Sequence, residues 1–310
     1  RIKHWRASMY INDINVLLST YNGEKYLPEL LESLTNQTYS PVKITIRDDG
    51  SRDNTIKTIE TFAAGRKNIS FYKGENLGVV NSFFWLLREA ETSGYYALCD
   101  QDDVWLPDKL ERAVDAINEH SKGKPMMYCS AYNLVDEKLN FIGKRSTKIK
   151  KPSYGNALVE NIATGCTVVI NNSARDILIN KLPENALMHD WWIYLVVSAF
   201  GQVIYDPNPS ILYRQHASNV VGAQANMMTK WMNRVKQYKK RNGERLIFQQ
   251  VLEFYNLYKN QMDKKTLDIT EKFLNDTLIN RITNCFFSPF YRQSAIDNMI
   301  YKILYLQKKI

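Results

Sequence analysis

Ala97-Leu98-Cys99-Asp100-Gln101-Asp102-Asp103-Val104-Trp105 decides how this 310-residue chain is read. Tyr95, Tyr96, Ala97 and Leu98 make a buried strand, and they run straight into three carboxylates within four positions, Asp100, Asp102 and Asp103. In an open α/β sheet, ligands sit at the carboxyl ends of strands, where carboxylate oxygens can hold a hard cation such as Mg²⁺ or Mn²⁺. The plain alternative is a solvated acidic turn, with Asp108 capping the helix that Pro107 begins. A lone D-x-D does not choose between the two, so the rest of the chain has to.

Upstream, Ile14–Ser19 is mostly apolar and ends in the polar turn Thr20-Tyr21-Asn22-Gly23. Leu27, Leu30, Leu31 and Leu34 follow at i, i+3, i+4 and i+7, one apolar face of a helix. Val42–Arg47 alternates as a strand and ends in Asp48-Asp49-Gly50-Ser51; a second helix starts near Asn54, with Ile56, Ile59 and Phe62 at helical spacing. Ile69–Lys73 reads as a third strand, Val79–Glu91 as a third helix and Tyr95–Cys99 as the fourth strand. Such alternation with short connections argues for an α/β fold, a mostly parallel sheet flanked by helices on both faces. The polar turns then share one side of the sheet, so Thr20, Tyr21, Asn22, Asp48, Asp49 and Asp100–Asp103 should converge on one cleft. As a mere turn, Asp48–Ser51 needs only turn-forming residues, but that leaves unexplained why two carboxylates share a rim with three more. A base and ribose would suit one side of this cleft and a metal-bound diphosphate the other. The sequence has no G-x-x-x-x-G-K and no G-x-G-x-x-G, so a cation has to neutralise any nucleotide phosphate.

Composition is that of an ordinary soluble protein, and the length suits one large core or one domain with an appendage. Residues 1–225 hold 25 Lys+Arg and 25 Asp+Glu, whereas 226–310 hold 16 and 7, so the tail carries the whole net charge of +9. This asymmetry points to an anionic partner for the tail or to a solvated helical face. Neutrality of the first 225 residues argues against nucleic acid as the main substrate. Cys99, Cys129, Cys166 and Cys285 are far apart and lack zinc-ligand spacing; they read as reduced core residues of a cytoplasmic protein, with a single disulfide as the alternative. No apolar run reaches the length of a bilayer crossing, and no secretory signal is present. Arg1–Ser8 look unlike the sequence after Met9.

Four motifs together, Ile14–Asn22, Ile46–Asn54, Asn76–Asn81 and Cys99–Trp105, resemble in order and spacing the family 2 glycosyltransferases of the GT-A (nucleotide-diphospho-sugar transferase) fold. The likeness covers about 110 residues and is nearest to bacterial rhamnosyltransferases that build O-antigens and rhamnose-rich wall polysaccharides. It implies a nucleotide-sugar donor, a divalent cation, Mn²⁺ or Mg²⁺, at the D-x-D, and inversion at the anomeric carbon. By this resemblance Thr20, Tyr21, Asn22, Asp48, Asp49, Asn76, Asn81, Asp100 and Gln101 bound the nucleotide, and Asp102, with Asp103 as an additional contact, meets the metal. A catalytic domain over 9–225 and a basic, mainly helical extension over 226–310 are expected. The acceptor would be a saccharide or lipid-linked saccharide.

Beyond the acidic cluster, Asp108–His120 reads as a helix, Pro125–Ala131 as a strand, and 133–153 as a loop with a basic run at Lys144-Arg145 and Lys148–Lys151. Met188-His189-Asp190-Trp191-Trp192 opens an apolar helix. Asp190 could simply be an acid favourably placed at a helix N-terminus. The resemblance implies instead the general base that accepts the acceptor hydroxyl's proton, with His189 where the family commonly has Glu. Trp191 and Trp192 could stack on a sugar ring, and core packing is as good a reading for Trp192. In Tyr213-Arg214-Gln215-His216, the family's Y-R-x-H element implies that His216 helps bind the metal or diphosphate; Arg214 could pair with phosphate oxygens. In the tail, Ile247, Val251, Phe254, Tyr255 and Tyr258 mark one amphipathic helix, and Ile296, Ile300, Ile303 and Leu304 another. Cys285–Tyr291, aromatic and flanked by Arg281 and Arg292, suits peripheral contact with an anionic membrane as well as packing on the catalytic domain or a homodimer partner.

Overall fold

The computed structural model describes residues 12–145, 149–216 and 245–310. The expected domain boundary at 225/226, Arg1–Ser8 and Lys148 lie outside them.

The alternation read from the sequence is present. Strands β1 (Ile14–Thr20), β2 (Val42–Asp48), β3 (Ile69–Lys73) and β4 (Tyr95–Asp100) are separated by helices α1 (Leu27–Thr35), α2 (Thr55–Ala63) and α3 (Gly78–Glu89). They pair in parallel, β1 against both β2 and β4, and β2 against β3. Thr20 stands opposite Asp48 and Ser19 opposite Asp100, so the strand ends are level and their turns share one edge. Apolar side chains on both faces of β1 are fully buried, as expected for a central parallel strand covered by helices.

The second half of the sheet is mixed rather than parallel. Short β5 (Val104–Trp105) leads into α4 (Lys109–His120), β6 (Met126–Val135), β7 (Phe141–Lys144), α5 (Tyr154–Ala157), β8 (Val169–Asn171), α6 (Asn172–Asn180), α7 (His189–Phe200) and β9 (Gln202–Arg214). The order across the sheet is β3-β2-β1-β4-β8-β6-β9-β5, with β7 beside β6. Strand β8 runs antiparallel to β4 and β6, and β9 runs parallel to β6. The stretch 133–153, expected as a loop, instead begins with an antiparallel β6–β7 hairpin turning at Asp136, whose carboxylate accepts from Lys138 N and Asn140 N, each at 2.9 Å.

Four helices complete the described chain: α8 (Leu246–Tyr258), α9 (Lys264–Leu274), α10 (Leu278–Phe287) and α11 (Ala295–Leu306). Val251, Phe254, Tyr258 and Phe273 are buried in the same core cluster as Trp192 and Val196 of α7. The Val251–Phe254–Tyr258 stripe is thus a packed face, as its spacing predicts. The aliphatic stripe of α11 behaves otherwise: Ile296 and Ile303 are exposed, and Tyr301 and Tyr305 turn inward instead. All four cysteines are free and buried.

Candidate active site

The turn after β2 is shaped from within by its own acids. Asp48 Oδ1 accepts from Gly50 N and Ser51 N, and Oδ2 from Thr20 Oγ1 at 2.9 Å and Ser51 Oγ at 2.6 Å. A carboxylate has about four acceptor positions, so Asp48 is fully used and both it and Thr20 are buried. This corrects the expectation that their side chains meet a nucleotide; they fix the turn. Asp49 is paired with Arg47 and accepts from Leu77 N at 3.0 Å and Gly78 N at 2.9 Å. It draws the start of α3, with Asn76 and Asn81, to the rim and keeps one acceptor position on Oδ2. Asn76 Oδ1 accepts from Gly78 N and Asn81 donates to Leu77 O, so both are exposed but locally anchored.

The β1 turn is tied to the acidic strand end. Gln101 accepts from Tyr21 N at 2.8 Å and donates to Tyr21 O at 2.9 Å. Asn22 sits at φ 48 and accepts from Arg52 N at 2.9 Å, while a Cβ on Gly23 would collide with the Gln101 side chain. Asn22, Gly23, Lys25, Tyr26, Gln101, Asp102, Glu137 and His216 line a cleft of about 240 Å³.

Within the D-Q-D-D run the three acids go different ways. Asp102 faces the cleft, with Oδ2 at 2.7 Å from His216 Nε2. The His216 ring stacks on Tyr26 at 4.9 Å. Asp103 turns inward, 1 % exposed: Oδ1 accepts from Arg214 N at 3.1 Å and Oδ2 finds no hydrogen-bond partner among the described residues. Its expected metal contact in the cleft is therefore corrected. Donor atoms of Asp100, Asp103 and Cys166 lie within 4.8 Å of one another. Lys109 lies nearby, fully buried, donating to Cys166 O at 2.7 Å and lying over the Trp105 ring. Burial, then the Asp102 and Asp190 carboxylates, push the Asp100 pKa up to about 7; burial pulls Lys109 down to about 7. Burial disfavours the charged form of each group, the carboxylate of Asp100 and the ammonium of Lys109.

Arg214 is also corrected. It is 1 % exposed, stacks on Tyr26 at 4.6 Å, and donates to Asp102 O at 2.9 Å, to Glu137 O at 2.6 Å and to the Glu29 carboxylate. These donors are occupied by the protein, so Arg214 holds the backbone that carries Asp102 rather than a phosphate.

Asp190 and His189 open α7, and both are buried. Asp190 Oδ1 accepts from Trp191 N at 2.7 Å. Its Oδ2 would stand 3.8 Å from a Cβ on Gly165, the neighbour of Cys166, whose sulfur lies beside Asp100 and Asp103. His189 stacks on Phe83 at 4.1 Å, and among the described residues neither ring nitrogen has a hydrogen-bond partner; burial lowers its pKa. Gly165 closes the gap between them: a Cβ there would stand 2.7 Å from His189 Nε2 and 3.8 Å from Asp190 Oδ2. Trp191 is partly buried and donates to Ala157 O at 2.8 Å. Trp192 is wholly buried, edge-on to Phe254, so its expected sugar stacking is corrected to core packing.

For a divalent cation, the donor set on the cleft wall fits Mn²⁺ better than Mg²⁺: a carboxylate oxygen of Asp102 beside an imidazole nitrogen of His216, where Mg²⁺ takes oxygen ligands. The inner grouping of Asp100, Asp103 and Cys166 fits less well, because burial raises the pKa of all three and so favours their protonated forms. Sequence reading missed Tyr26, Lys25, Glu137 and Lys109. Tyr26 carries no motif; Lys109 was hidden at the start of a helix whose acids, Glu111, Asp115 and Glu119, face water.

Residues 15–169 match the family model described as glycosyl transferase family 2. A dTDP-rhamnosyl transferase, RfbG, of Shigella flexneri is 30 % identical over 69 % of this chain and 76 % of its own length. An uncharacterised glycosyltransferase of Rickettsia typhi is 26 % identical over 73 % of this chain and 71 % of its own length. Among solved structures, residues 1–349 of Staphylococcus aureus TarS in complex with UDP-GlcNAc superpose with a TM-score of 0.61 at 16 % identity, covering 96 % of this chain and 80 % of that one. That likeness speaks for the fold, and the sequence matches carry the rest: with its acidic strand end and level strand termini, this chain belongs to glycosyl transferase family 2.

Proposed function

We propose that this glycosyltransferase moves L-rhamnose from dTDP-L-rhamnose onto a hydroxyl of a saccharide or lipid-linked saccharide, with inversion and with Mn²⁺ or Mg²⁺ as cofactor. The observation that carries the reading is the Asp102–His216 pair facing the cleft, together with the similarity to RfbG over 69 % of the chain. Asn22 and Gln101 of the cleft and the exposed Tyr21 beside them bound the nucleotide, and the acceptor position that Arg47, Leu77 N and Gly78 N leave on buried Asp49 suits an imide N–H of a pyrimidine base. Asp102 and His216 hold the cation, which when bound stabilises negative charge on the departing diphosphate.

Asp190 accepts the proton of the acceptor hydroxyl as that oxygen bonds to the anomeric carbon and the bond from that carbon to the diphosphate oxygen breaks. His189, buried and with neither nitrogen partnered among the described residues, is suited to a hydroxyl of the sugar or acceptor. Trp191 walls the acceptor side. Residues 226–310 form the basic extension, and the enzyme works on the cytoplasmic face. A UDP-sugar donor, as in the TarS complex, is the competing reading within the same fold.

A thermal-shift screen with dTDP-, UDP- and GDP-sugars, with and without Mn²⁺, tests this directly, because a ligand of the folded state raises its apparent stability. A shift with dTDP-L-rhamnose that requires the cation supports the reading; a shift confined to UDP-sugars replaces the donor.

A further inference from the structure

Helices α10 and α11 are packed inside out. Their inward residues are Asn284, Cys285, Tyr301 and Tyr305, and these make polar contacts: Asn284 donates to Tyr305 Oη and to Lys272 O, both at 3.0 Å. Outward, Leu278, Ile282 and Phe286 form a stripe at i, i+4 and i+8, with Ile279 and Phe287 beside it. Ile279 and Phe287 are each 79 % exposed and Phe286 is 74 % exposed. On α11, Ile296, Met299 and Ile303 make a second exposed stripe at i, i+3 and i+7. Of the fourteen large apolar residues exposed among the described residues, eight sit on these two helices. A soluble helical hairpin would have the polar and aliphatic faces exchanged, and a contiguous apolar face of this kind marks an interaction surface.

The charge around the face says what covers it. Residues 276–310 contain five Lys+Arg and two acids, Asp297 and Asp276, the latter pairing with Arg281 and Lys308. Lys272 Nζ lies 3.2 Å from Phe287 O, a cation beside the exposed aromatic pair. The chain enters this region at Arg245, which donates to Ile310 O at 2.7 Å and pairs with Asp276 at 2.9 Å, so it sits near the end of α11 and the start of α10. The eighteen residues before it, 227–244, include six Lys+Arg and one acid, and the last of those bases, Arg241, is only four residues away. A second copy would bring the same positive rim and repel it, whereas an anionic bilayer is complementary in both charge and polarity.

We propose that the α10–α11 face lies in the headgroup region of a bilayer rich in anionic phospholipid, with Ile279, Phe286 and Phe287 inserted and the surrounding Lys and Arg at the phosphates. The inference stands apart from the donor assignment, because it is read without any sugar. The full chain is sedimented with vesicles of phosphatidylcholine alone or mixed with phosphatidylglycerol. Expected are binding to the mixed vesicles, weakening at high salt, and at least a tenfold loss in Phe286→Ser/Phe287→Ser with an unchanged melting temperature, since these side chains face solvent. Lys309→Glu, which disturbs no apolar side chain, should weaken binding by about fivefold. Binding that is equal on both vesicle types, or unaffected by both variants, overturns the proposal. So does a concentration-dependent dimer in light scattering that the double variant abolishes, because a second copy would then be the occupant.

Discussion

His216 Nε2 lies 2.7 Å from Asp102 Oδ2 across 114 residues of sequence. The contact depends on β9 returning beside β5, where Leu212 pairs with Val104 and brings the end of β9 against the acidic turn. If the two side chains share a cation, they should fail together. Asp102→Asn and His216→Ala are each expected to lower metal-dependent kcat/KM by about 100-fold or more. The double variant should be little worse than either, since the second change removes a partner already lost. Additive losses in a steady-state assay with titrated Mn²⁺ would show that they act separately.

Asp190 should separate binding from chemistry. Asp190→Asn keeps the shape of the α7 N-terminus and can still accept from Trp191 N, but it no longer takes a proton. Transfer should fall by about 10²–10⁴-fold, while the donor-induced thermal shift stays within a degree or two of wild type. A variant with full turnover would exclude Asp190 as the base.

Sequence showed the first half of the fold well because its signals are local. Leucine spacing in α1, alternation in β2 and turn residues after each strand all lie within a few positions of one another. Arg214 was misread because its partners, Glu29 and Glu137, lie 185 and 77 residues away, and nothing beside Tyr213 signals them. Trp192 faces a core completed by Phe254, from a helix more than fifty residues later. Hairpin β6–β7 was missed because Phe141 and Ile142 are exposed, so the half-buried alternation that betrays a strand is absent. In the tail, aliphatic spacing found α11 but assigned its buried face to the wrong residues. Periodicity says that a helix has an apolar side, not what lies against it.

Gly165 offers a steric test of the seam between the acidic strand end and α7. A methyl group there would stand 2.7 Å from His189 Nε2, and His189 cannot retreat because its ring lies flat on buried Phe83. Gly165→Ala is expected to destabilise the fold by about 1–3 kcal/mol and to reduce transfer. Adding His189→Ala should recover much of the stability without the activity. Equal melting temperatures for Gly165→Ala and wild type would mean that the seam is looser than its geometry.

Acid stability should depend on Asp206, which joins α4 to the strand pair β6–β9. Burial pushes its pKa up, but Asn208 N at 2.8 Å, the Arg112 guanidinium and Tyr128 Oη at 2.7 Å together hold it below the ordinary 3.8. A carboxyl whose pKa is lower folded than unfolded stabilises the protein above its unfolded pKa, and loses that contribution as pH falls through the folded value. The window is therefore below about pH 4, with no effect expected between pH 5 and 8. Asp206→Asn should cost about 1–3 kcal/mol at pH 7 and flatten the acid limb of a urea-unfolding series taken from pH 7 to pH 3. Tyr128→Phe, which leaves the charge and the Arg112 pair in place, should cost about 1 kcal/mol and keep most of the acid slope. If the two variants have the same pH profile, the ion pair is not what ties α4 to the sheet.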